Sequence, residues 1–214
     1  MAFLARTPVR FIVTALILGL LFVPVPIPYR VIVLAGAALL CTSLETRTLQ
    51  PIGLGRHRLR PTILWAISIA VGTIALAQAG EALINWLLGV HPDLSGYGAL
   101  KGNAQLALQL LGLGLVSAAL GEEILFRGFL LHQLTEIFGA SNRARWCSIL
   151  ISGTLFGLAH SMQGLAGIIT TGLVGSIFSW AWFRSGRNLW ALMVAHALVD
   201  SFGIGMLYLG WSAI

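Results

Sequence analysis

Seven apolar stretches, at roughly residues 11–28, 31–44, 61–90, 104–135, 146–162, 164–183 and 189–211, take up most of this 214-residue chain. A helix that crosses a bilayer needs about 20 consecutive apolar residues, and in hydrocarbon every backbone N–H and C=O must be satisfied within the segment. The chain is therefore constrained to an all-α, polytopic transmembrane bundle of about seven spans. Segment 31–44 is short for a span, while 61–90 is long enough to tilt or bend. Composition agrees, since only 9% of residues are charged against about 25% in typical soluble domains.

The basic residues read as topology signals. With the N-terminus cytoplasmic, the cytoplasmic segments hold Arg6, Arg10, Arg47, Arg56, Arg58, Arg60, Arg143, Arg145, Arg184 and Arg187, and the outer loops only Arg30 and Lys101. Ten against two obeys the positive-inside rule. The remaining positive charge, Arg127, lies inside a span. These charges do not cluster as a nucleic-acid footprint, so no nucleic-acid partner is expected. Arg6 and Arg10 precede the first apolar run as in a signal peptide. No small-residue cleavage site follows, and the chain reads Pro24-Val25-Pro26-Ile27-Pro28, so a retained first span is expected. Cys41 and Cys147 have neither disulfide-framework nor metal spacing and are expected to be packing residues. No repeat or linker divides the sequence, which predicts one domain over 1–214.

Ionisable groups within hydrocarbon are costly and usually functional, so the chemistry is to be sought where they interrupt the apolar stretches. Three clusters do so: Glu122-Glu123 with Arg127, Phe156 with His160, and His196 with Asp200. Glu123 and Arg127 lie four apart on one helix face with the acid N-terminal, so Arg127 can neutralise Glu123. Glu122 lies about 100° round the helix and remains free for general-base work. His196 and Asp200 share a face by the same spacing, as do Phe156 and His160. Gly153 and Gly157 form a GxxxG step that lets a neighbouring helix approach closely. Glu81, His132 and Glu136 are given no role, the last two being placed at the cytoplasmic interface. Trp146, Trp180, Trp182, Trp190 and Trp211 fall near span ends, where interfacial aromatics belong.

Each pair alone has a structural reading, as an ion pair locking two helices or a histidine strut. Three on separate helices, in this order, resemble the CAAX prenyl protease and bacteriocin-processing (CPBP, or Abi) family of intramembrane proteases, over about residues 104–211. That resemblance implies a multi-pass endopeptidase acting on a membrane-associated protein or peptide. It implies Glu122 as the base that activates a water together with His160, and His196 with residue 200 as the oxyanion site. Glu123 and Arg127 complete the motif. The chain carries Asp200 where the prenyl-protease branch often has Asn, and an ionised aspartate would repel an oxyanion unless it is protonated, orients His196 or binds a metal. No cofactor is expected, for HExxH spacing is absent. Were zinc present, its ligands would come from Glu122, His160, His196 and Asp200.

The GxSG of rhomboids and the GxGD of presenilin-like proteases are also absent. The rival readings are a small proton-coupled transporter, which lacks the inverted repeat such folds use, and a catalytically silent immunity or scaffold protein of the same fold. The compact, arginine-rich style suggests a bacterial inner membrane. One tension is visible: His160 computes to about 21 Å above Trp146, whereas Glu122 and His196 fall in the cytoplasmic half. A shared site therefore requires that the fifth helix start lower, around Arg143, that it tilt, or that the fourth bend near Gly128.

Overall fold

The computed structural model describes residues 3–23 and 27–211, which fold entirely as helices with no strand among them. In order these are α1 (Thr7–Gly19), α2 (Ile27–Thr46), α3 (Leu59–Leu88), α4 (Ala104–Gly114), α5 (Leu131–Phe138), α6 (Asn142–Ala159), α7 (Gly164–Arg184) and α8 (Leu189–Leu209). A wide-turned π-helical stretch, Leu115–Leu130, joins α4 to α5, so that Ala104–Phe138 runs on as one continuous rod. Long π stretches are rare and tend to accompany functional sites.

Among the described residues five helices are long and apolar enough to cross a bilayer: Pro28–Thr46, Leu59–Leu88, Ala104–Phe138, Ser161–Arg184 and Leu189–Leu209. Two of the seven expected spans fall short of this. Thr7–Phe22 is a shorter apolar helix. The expected 146–162 span is α6, which begins at Asn142 and carries Arg143, Arg145, Ser148 and Ser152 along its 18 residues. The proline run at 24–26 lies outside the described residues.

The long rod is the axis of the bundle. On one side Leu125, Phe126, Phe129, Leu130 and Leu134 pack against Ile17 and Leu18 of α1 and Val31, Leu34 and Ala38 of α2. On the other, Leu131 joins Phe178 and Trp182 of α7 and Leu189 and Leu192 of α8. The outer faces of the helices remain apolar and exposed, with Leu16, Val33, Trp86 and Leu108 among them. Such exposure is costly in water and is what a lipid-facing surface requires.

Two expectations about side chains change. Trp182 is no interfacial aromatic: it is fully buried in the α7–α8 core, although its neighbour Trp180 is exposed. The face of the helix, not distance from its end, decides between them. Cys147 is exposed on α6 and so fills no core space, while Cys41 is half-buried against the α1–α2 cluster.

The GxxxG step does what its spacing predicts. α6 packs more closely on α7 than any other pair of elements pack on each other. A Cβ on Gly153 would stand 2.8 Å from the Gly172 carbonyl oxygen, and one on Gly157 would stand 3.0 Å from the Gly172 Cα. Hydrogen at these positions lets the two backbones touch.

Candidate active site

The π-helical stretch and α8 together carry most of the polar cluster. Arg127 and Glu123 are both fully buried and bonded, with the guanidinium Nη1 donating to Glu123 Oε1 over 2.8 Å. The same Oε1 accepts from His196 Nδ1 at 2.7 Å. A carboxylate has no hydrogen to give in its ionised form, so Nδ1 carries a ring hydrogen, and Nε2, which carries the second in the imidazolium form, faces the other way. There it meets Asp200 Oδ1 at 3.5 Å and Glu122 Oε2 at 4.0 Å. The result is a relay, Arg127 to Glu123 to His196, which aims one imidazole nitrogen at two further carboxylates.

Aromatic packing holds the relay in place. The Arg127 guanidinium lies 4.3 Å from the Phe156 ring centroid and 5.1 Å from that of Phe178. Such contacts favour a desolvated cation by about 2 kcal/mol or more. Phe156 and Phe178 also meet the His196 ring edge to face, at 6.4 and 5.6 Å between centroids. Arg127 Nη2 reaches the Gly175 carbonyl on α7 at a long 3.4 Å. Among the described residues its Nε and Glu123 Oε2 have no hydrogen-bond partner, so the pair sits in an apolar sleeve without being fully satisfied.

His160 terminates α6. Its backbone has left the helical region, and its Nδ1 lies 2.8 Å from the Phe156 carbonyl oxygen. Because that oxygen only accepts, Nδ1 is the donor and the neutral ring presents a bare Nε2. His160 stacks on Phe156 at 4.7 Å and lies within electrostatic reach of Asp200. The start of α6 at Asn142, close to Arg143, is one of the arrangements that the depth of His160 calls for.

Glu123 thus joins Arg127 to His196, His196 faces Glu122 and Asp200, and His160 approaches through Phe156 and Asp200. Glu122 and His196 are each 9% exposed and Asp200 is half-buried, so the cluster is least enclosed at Asp200. Phe178 and the Gly175 carbonyl are site components that the sequence did not reveal. An aromatic in an apolar helix carries no local signal that it faces an arginine. Among the described residues no group of three or more His, Cys, Asp and Glu side chains is arranged to hold a metal ion. Glu123 is committed to Arg127 and His196, so any zinc would have to be held by Glu122, His160, His196 and Asp200.

Residues 103–202 match a family profile described as type II CAAX prenyl endopeptidase Rce1-like, so this segment is similar to that family of peptidases. No curated protein and no solved structure matches the chain. The matched residues span all three polar motifs together with Phe178 and Gly175.

Proposed function

We propose that the chain is an intramembrane endopeptidase of a bacterial inner membrane, hydrolysing one peptide bond of a membrane-associated protein or peptide. The observation that carries this reading is the relay from Arg127 through Glu123 to His196, with Glu122 left unbonded beside its far end. Glu122 takes a proton from a water that His160 Nε2 helps to orient. The resulting hydroxide attacks the scissile carbonyl carbon, and His196 Nε2–H donates to the oxygen that becomes negative. Collapse of the tetrahedral species expels the amine, which receives the proton held by Glu122.

Glu123 fixes the direction of the His196 ring, and Arg127 is the counter-ion of Glu123 in an apolar place. Asp200 acts as an orienting acceptor for Nε2–H, holding the ring until the substrate carbonyl replaces it. Several kcal/mol of barrier lowering from one positioned base and one oxyanion donor is in the usual range.

The test is cleavage of membrane-borne peptides by the protein in liposomes, compared with Glu122→Ala. Cleavage should vanish while the variant stays folded; retained cleavage would remove Glu122 as the base. The scheme also needs no metal. Chelation should leave the rate unchanged, and loss on chelation with recovery on adding zinc would replace it.

A further inference from the structure

Away from the polar cluster, the end of the bundle where α3 begins carries three arginines in five residues: Arg56, Arg58 and Arg60. All three are exposed, and among the described residues none of their guanidinium groups makes an ion pair or hydrogen bond. Arg10 and Arg127 are paired with carboxylates, and Arg187 lies over the Trp182 ring at 5.0 Å. Unpaired guanidiniums side by side repel one another, so an anion between them is favoured.

The shape around them is that of a site for an anion with an apolar tail. A cavity of about 610 Å³ is lined by Arg58, Arg60, Pro61, Leu64, Trp65 and Ser68, in that order down the first turns of a spanning helix. Arg58 and Arg60 line one end of it, and Leu64 and Trp65 lie further along. A second cavity, of about 890 Å³, adjoins the same segment and takes in Arg56 and His57. The walls are fixed rather than loose. Leu189 N–H donates to the Gly53 carbonyl at 3.2 Å and Trp190 Nε1 to that of Gly55 at 3.2 Å. Asn188 Nδ2 donates to Thr62 Oγ1 at 2.8 Å on the far side. Gly53, at φ +93°, is packed so tightly that a Cβ there would stand 3.1 Å from Leu189. The arginine segment is therefore held at both ends before any ligand arrives, which lowers the ordering cost of binding.

We propose that this cavity binds the headgroup of an anionic phospholipid, with Arg58 and Arg60 on the phosphate, Arg56 closing the cationic side, and the acyl chain lying along Leu64 and Trp65. Positive charge at a span end sets orientation wherever it sits. A lipid site additionally requires that the charges share a cavity with an apolar wall, and this segment meets that condition. The proposal does not depend on the peptidase chemistry.

The test uses the full-length protein in phosphatidylcholine vesicles, with spin-labelled phosphatidylglycerol or phosphatidylcholine as the probe and the fraction of motionally restricted label as the readout. The native protein should prefer phosphatidylglycerol, and Arg58→Gln with Arg60→Gln should lower that preference by about fivefold for each charge removed. Arg143→Gln with Arg145→Gln removes the same charge from exposed positions on α6 and should change the preference by less than about twofold. Equal selection of both lipids by the native protein, or an equal loss in the α6 variant, would overturn the assignment. Displacement of the label by inorganic phosphate at matched ionic strength would make the cavity a soluble-anion site and overturn it as well.

Discussion

Among the described residues two largely buried ionic clusters are each built around a glutamate, an arginine and a histidine, and they differ in what they leave unbonded. The first, between α1, α2 and α5, centres on Glu45, whose Oε1 meets Arg10 at 2.6 Å and His132 at 3.4 Å while Oε2 accepts from Gln133 at 2.8 Å. Arg10 also donates to Gln133 Oε1 at 2.9 Å and lies 3.6 Å from Glu136. Both oxygens of the central carboxylate are occupied. In the second cluster Arg127 and His196 converge on one oxygen of Glu123, and Glu122 makes no hydrogen bond among the described residues. The first arrangement is a strut that joins three helices. The second uses one carboxylate as support and keeps another in reserve, which is the division of labour that acid–base chemistry needs.

The sharpest way to break this contrast is a matched pair of amide substitutions. Glu122→Gln keeps volume and removes the proposed base, so cleavage should fall by about 10²–10⁴-fold with the unfolding midpoint unmoved. Glu45→Gln should do the reverse, lowering the thermal midpoint in detergent while kcat/KM stays within about tenfold of native. If Glu45→Gln abolished cleavage without destabilising the protein, the two clusters would not be functionally distinct.

A second comparison concerns stability. Arg127 is fully buried, and Arg127→Met leaves Glu123 without its cation in an apolar sleeve. Breaking such a pair costs about 3–5 kcal/mol. Arg10→Met leaves Glu45 with His132 and Gln133 still in place, so its cost should be smaller by denaturant titration. A larger loss at Arg10 would mean that the strut, not the relay, holds the more strongly desolvated charge.

These two clusters were unequally legible in the sequence. The relay could be read in part because its bonds within helices follow the four-residue repeat: Glu123 with Arg127, His196 with Asp200. Periodicity states which residues share a face, and nothing about which helices meet. The strut is invisible for that reason. Arg10 and Gln133 are 123 residues apart and Glu45 and Gln133 are 88 apart, so Arg10 reads as a topology charge and His132 and Glu136 as interfacial residues. Phe178 is hidden in the same way, since only the docking of α7 against the π-helical stretch brings its ring to Arg127. Helix count was limited by a different cause. Hydropathy marks α1 and α6 as apolar segments, but length and the polar residues of Asn142–Ala159 set them apart from the five long spans.

A smaller effect should come from the α6–α7 contact. Gly157→Ala puts a methyl 3.0 Å from the Gly172 Cα, and overpacking of this kind costs about 1–3 kcal/mol. His160 is only three residues on, so separation of the helices should also reduce cleavage, whereas the α1–α2–α5 strut should be untouched. Gly36→Ala is the control, for a Cβ there meets nothing within 4 Å. Equal destabilisation by both substitutions, read from unfolding midpoints, would mean that the close approach at Gly157 contributes nothing of its own.

The smallest change is expected at Asp200, and it decides what kind of group that residue is. Its Oδ1 faces His196 Nε2, the proposed oxyanion donor, at 3.5 Å. If its task is to accept from Nε2–H and hold the ring, asparagine can do this through its own carbonyl oxygen, without the negative charge that opposes the developing oxyanion. Asp200→Asn should therefore keep cleavage within about tenfold of native, whereas Asp200→Ala, which removes the acceptor, should lose more. The order matters more than either value. Were Asp200→Asn as inactive as Glu122→Gln, the proton or charge of Asp200 would belong to the reaction itself, and the reserve of the catalytic cluster would be two carboxylates rather than one.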